Sequence, residues 1–185
     1  METVSESQQQ WFVMRDLKRP NAKLPAYKQL GEMGFEVFTP LTSKIMTNGS
    51  KRVRIQVPVI QDLLFVHSDK DKLDKIVAKT ATLQYRFVKG APYCTPMTVP
   101  TNDMNRFMAA VEYTKTPKFY TPDEITPNMY GATVRMVCDG SINGLEGRLL
   151  KIRGSAKKRF LIELPGLLAA SIEVESPDYV EIVND

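Results

Sequence analysis

Val134-Arg135-Met136-Val137-Cys138-Asp139-Gly140-Ser141-Ile142-Asn143-Gly144-Leu145-Glu146-Gly147 is the stretch on which the fold turns. Val134, Met136 and Cys138 alternate with Arg135 and Val137, the period of a strand with one buried face. Three glycines then fall within eight positions, at 140, 144 and 147. Glycine supplies positive φ or close backbone approach, so this is a compact turn between strands. Toward the C-terminus, further short strands are expected at Gly147 to Ile152, Phe160 to Leu164, Ile172 to Val174 and Tyr179 to Val183. Leu167-Leu168-Ala169-Ala170 tolerates helix. Pro165-Gly166 before it and the Ile172/Val174 alternation after it favour strand. Residues 131–185 number 55, a size that can fold alone. Five short strands without a helix predict a small β-barrel that binds partners rather than doing chemistry.

Toward the N-terminus, Pro117, Pro122 and Pro127 recur among Thr, Asp and Asn. That density predicts a semi-stiff linker over 115–130. Residues 11–114 then form a separate domain. Trp11-Phe12-Val13-Met14 reads as a buried strand. Lys18 to Gly34 reads as a helical stretch, with Leu24, Tyr27 and Leu30 at helical spacing, and Pro25, awkward in a helix interior but tolerable in a first turn, favours a start near it. Val37-Phe38-Thr39 is a second strand. Asn48-Gly49 between two strand-like arms signals a hairpin over 43–57. Leu63 to Val66 is another strand. Ser68 is expected to cap a second helix carrying Leu73, Ile76 and Val77. Tyr85 to Val88 is a fourth strand, and Thr101 opens a third helix with Met104, Phe107, Met108 and Val111 on one face. The order predicts an α+β domain with helices packed on one antiparallel sheet.

Hydrophobic residues make up 43% and charged residues 25%, the balance of a folded soluble chain. No apolar run nears the roughly 18 residues of a bilayer span, so no membrane partner is expected. Residues 1–10 are polar, lack an export pattern and read as a flexible tail. Two well-separated cysteines build no disulfide framework, which points to the cytoplasm. Residues 1–120 carry 18 Lys/Arg against 11 Asp/Glu, and residues 121–185 carry 7 against 10. The basic front half suits phosphates or an acidic protein surface.

Val134 to Gly140 followed by Gly144-Leu145-Glu146-Gly147 resembles the KOW motif. Trp11-Phe12-Val13, Val37-Phe38-Thr39-Pro40 and the basic hairpin leading into Pro58 to Val66 are similar to the N-terminal domain of the NusG family. The chain is thus identified as a member of that family of transcription elongation and antitermination factors. Ile60-Gln61-Asp62-Leu63 stands where the family commonly has Phe-Pro-Gly-Tyr, and Pro25 shortens the first helix. These departures suggest a specialised paralogue, such as the antiterminators of surface-polysaccharide operons.

The resemblance implies an N-terminal domain that binds RNA polymerase and suppresses pausing or termination. Ile60, Leu63 and Phe65 map to its polymerase-docking surface. Arg15, Lys18 and Arg19 map where relatives contact non-template DNA. Lys51, Arg52 and Arg54 on the hairpin map where relatives approach nucleic acid. The KOW domain would recruit a small-subunit ribosomal protein or Rho, with Ile142 and Leu145 as its contacts. No cofactor is implied. An enzyme is the first rival, but its single histidine, His67, has no Cys/His ligand spacing beside it. A KOW-bearing RNA-binding protein of ribosomal type is the second. The acidic balance of residues 121–185 stands against it.

Overall fold

The computed structural model describes residues 8–19, 22–176 and 179–183. Most of the expected tail, residues 1–7, lies outside them. The chain divides after Pro100 into two compact units.

The first unit is built on β1 (Gln10–Asp16). It pairs antiparallel with β5 (Leu63–Ser68) on one side, and with β6 (Leu83–Tyr85) and β7 (Thr98–Val99) on the other. β2 (Glu36–Phe38) continues the sheet beyond β5. Strand alternation sorts β1 into two apolar faces. Phe12 and Met14 join Leu64, Val66, Leu83 and Tyr85 on one face. α1 (Ala26–Glu32) and α2 (Lys70–Val77) cover that face with Ala26, Leu30 and Leu73. Trp11, Val13, Leu63 and Phe65 lie on the other face.

Local chemistry sets the helix ends. Pro25 sits at the N-cap of α1, where its missing N–H costs nothing. The Asp16 carboxylate reaches from β1 and accepts the Ala26 amide at 2.6 Å. α2 is capped by Asp69, which accepts the Lys72 amide at 3.0 Å, rather than by Ser68. The Ser68 hydroxyl instead donates to the Asp69 carbonyl. The expected fourth strand ends early at Tyr85. Gly90 adopts φ 80° and the chain reverses there, leaving Phe87 in a single bridge with Pro96.

β3 (Leu41–Asn48) and β4 (Lys51–Pro58) form a two-stranded ribbon of their own. The central turn residues are Gly49 and Ser50, one position later than the Asn-Gly signal suggests. Only Gly49 has positive φ, 63°, the pattern of a II′ turn.

In the second unit α3 (Thr101–Tyr113) packs on β11 (Arg159–Leu164) and β12 (Leu168–Glu173). Met104, Phe107 and Ala110 are fully buried. This moves the division of the chain from the expected 115–130 segment to the start of α3. That segment is also not a plain linker. Its β8 (Lys118–Tyr120) pairs with β12, and Pro122 and Pro127 each start a 3-10 turn. Thr121 and Glu124 close the first of these turns, the Thr121 amide donating to Glu124 Oε2 at 2.7 Å. Proline at N1 initiates such turns as readily as it stiffens linkers. The open edge of β12, a tertiary feature, decided between the two. With β9 (Tyr130–Met136), β10 (Glu146–Leu150) and β13 (Val180–Ile182) the sheet has six antiparallel strands, ordered β13-β9-β10-β11-β12-β8. Residues 168–173 are strand, not helix.

Candidate nucleic-acid interface

The α1/α2-free face of the first sheet carries cations at the end of β1. Arg15 stands opposite Leu63 on β5 and Gln84 on β6. Its Nε donates to Asp62 Oδ2 at 3.0 Å, and Arg86 donates to the other oxygen, Oδ1, at 3.2 Å. One carboxylate thus orients two guanidinium groups, and the group keeps a net positive charge. Arg86 Nε is buried with no hydrogen-bond partner. The sequence reading missed Asp62 and Arg86. Asp62 was visible as part of the departure at Ile60-Gln61-Asp62-Leu63, but only the β1/β6 register brings Arg86 to it.

The other expected contacts near β1 divide. Lys18 is committed to structure: its Nζ donates to the Leu24 carbonyl at 2.8 Å and to Gln29 Oε1 at 2.7 Å. Arg19 is exposed and makes no ion pair among the described residues.

The ribbon residues also divide, by face. Directly opposed residues of an antiparallel pair share a face. Arg54 opposes Ile45, Arg52 opposes Thr47, and Gln56 opposes Ser43. The Gln56 amide donates to Ser43 Oγ at 3.0 Å across that face. The reverse face carries Met46 opposite Val53, Ile55 opposite Lys44, and Lys51 near the turn. The two arginines therefore share one face with Ser43, Ile45, Thr47 and Gln56, and Lys51 lies with Lys44 on the other. No Asp or Glu lies between 41 and 58, and none of the four cations is ion-paired among the described residues. Arginine beside hydroxyl and amide groups is the chemistry that grips phosphate and base edges.

Of the expected polymerase-docking residues, Leu63 and Phe65 share the cationic sheet face, with Phe38 packed on Phe65 at 6.1 Å between ring centroids. Both are buried, at 1% and 0% exposure. Ile60 lies off the strand in the preceding turn, where its carbonyl accepts the Leu63 amide at 3.1 Å. Side chains this deep present no surface to a partner, and Trp11 and Val13 on the same face are equally buried. His67 is held by structure: it stacks on Trp11 at 5.0 Å and its Nδ1 meets Glu36 Oε2 at 2.8 Å.

In the second unit the glycine turn closes as expected locally. Gly140 and Gly144 take positive φ, 105° and 78°, and the Gly144 amide donates to the Met136 carbonyl at 2.8 Å. Ile142 is fully buried and offers a partner nothing. Leu145 remains half-buried at its edge. Gly147 is required by packing. A Cβ there would strike the Leu161 carbonyl oxygen and lie 2.6 Å from the Phe160 ring.

Fold and surface together define a sheet-built protein, with cations on one sheet face and on a separate ribbon of the first unit. The chain matches the family model NusG, transcription termination factor nusG, over residues 9–108. That is more than half of its 185 residues, and the chain belongs to the NusG family of transcription termination and elongation factors. No curated protein matches it. The family match ends inside α3, the helix that packs on β11 and β12. Among the described residues no helix is long and apolar enough to cross a membrane.

Proposed function

We propose that this chain is a specialised elongation or antitermination factor that acts without catalysis in the cytoplasm. The family match over residues 9–108 carries the reading. The first unit binds RNA polymerase in the region of Ile60, Leu63 and Phe65, the positions that the family resemblance assigns to docking. Arg15, Arg19 and Arg86 face the non-template DNA strand, and the Arg52/Arg54 face of the ribbon grips nucleic-acid backbone. The second unit is a KOW-type barrel that recruits a further protein, a small-subunit ribosomal protein or Rho among the candidates. Such a factor suppresses pausing by binding one polymerase conformation better than the paused one.

The test is a pull-down of core RNA polymerase from the same cell with the full chain, followed by in vitro pausing. Binding together with shortened pauses is the expected result. Absence of binding to polymerase and to its isolated clamp helices overturns the reading. Tight, steeply salt-dependent binding to isolated RNA would instead favour the ribosomal-type alternative.

A further inference from the structure

The second unit is acidic over residues 121–185, yet five of the seven Lys/Arg in that span fall between 151 and 159. The β10–β11 connection gathers them. Two are already spent: Lys157 pairs with Glu173 at 2.6 Å, and Arg159 with Glu173 at 3.7 Å and Ser171 Oγ at 2.8 Å. The remaining three, Lys151, Arg153 and Lys158, are exposed and make no ion pair among the described residues.

These three line one open cavity of about 700 Å³. Half-buried Met129, Leu149 and Ile152 supply its apolar lining, and no carboxylate borders it. The loop is anchored rather than loose. The Lys151 amide donates to the Met129 carbonyl at 2.7 Å, and the Lys158 carbonyl accepts the Val174 amide at 3.0 Å. Gly154, at φ 79°, turns the chain between them. The cavity lies on the β10–β11 connection, away from the glycine turn on the β9–β10 connection where Ile142 is buried.

The geometry points to this cavity as a docking site for an acidic segment of a protein partner that inserts apolar side chains between its carboxylates. The argument is complementarity. Three unpaired cations around a space with no acid of its own attract a polyanionic ligand. Methionine and aliphatic side chains then reward an apolar anchor, which a simple anion lacks. A single nucleic-acid strand fits less well, because no aromatic side chain lines the cavity to stack a base. The site deepens the reading of the second unit as a recruiting arm, and it moves the recruiting surface from the glycine turn to the basic connection.

The test uses the isotope-labelled full chain and a short synthetic peptide of alternating leucine and glutamate. The expected result is saturable shifts of amides within 149–158, weakened but not abolished by added salt. K151E/R153E/K158E should bind at least about tenfold more weakly. The same variant should still capture core RNA polymerase, because all three substitutions are exposed and lie outside the first unit. Loss of peptide binding with polymerase capture retained therefore isolates this site. Failure of the wild-type chain to capture polymerase, with peptide binding intact, sinks only the transcription reading. The site proposal is overturned by no shifts in 149–158 at millimolar peptide, by equal affinity of the triple variant, or by a single-stranded oligonucleotide that binds there more tightly than the peptide.

Discussion

Asp16 ties two elements together with one side chain. Its carboxylate accepts the Ala26 amide at 2.6 Å and the Lys18 amide at 3.0 Å, and it is 8% exposed. Asp16→Ala leaves both amides without that acceptor and should cost about 2 kcal/mol, read by chemical denaturation. Gly147→Ala acts by collision rather than by loss. Its Cβ meets a carbonyl and an aromatic ring in a packed sheet, and a destabilisation of about 3 kcal/mol is expected. Asp74 links pH to stability. Its hydrogen bond from Lys70, and then that from the Tyr85 hydroxyl, hold it below the ordinary 3.8. A depressed native value stabilises above the unfolded value and is lost as pH falls through the native one. The gap between wild type and Asp74→Asn should therefore be present at neutral pH and close as pH falls through the lowered native value, as followed by urea midpoints.

Among the elements, the β3–β4 ribbon makes the sharpest distinction between faces. Arg52→Ala and Arg54→Ala should each lower affinity for a DNA oligonucleotide and reduce the salt slope by about 1. Met46→Ser, on the reverse face, should change neither. Fluorescence anisotropy across a salt series decides this, and equal effects on both faces would remove the assignment. α3 makes the second distinction. Phe107 is 0% exposed on a helix that packs on β11 and β12. Phe107→Ala should cost about 3–5 kcal/mol and speed hydrogen exchange in those two strands.

At the scale of the whole molecule, much was legible because the deciding signals are local. Alternation at Val134 to Cys138 and at Phe160 to Leu164, the glycines at 140 and 144, the Pro25 start of α1 and the stripe of α3 each act within a few residues of where they stand. The ribbon was legible as a hairpin for the same reason, although its turn slid by one residue. What the sequence by itself determined is therefore most of the longer elements, the family and the charge of the front half. Tertiary structure decided which cations are paired among the described residues. Lys18 looks like Arg19 in the sequence, yet a helix glutamine and a carbonyl claim it. Arg86 was invisible until strand register set it on Asp62. Tertiary structure also took Lys118–Tyr120 into a sheet, buried Ile142, and left Lys151, Arg153 and Lys158 without an ion pair among the described residues around a cavity. The physical reason is common to all of these. Backbone preference acts between neighbours in the chain, whereas pairing and burial are settled between residues that only the fold brings together.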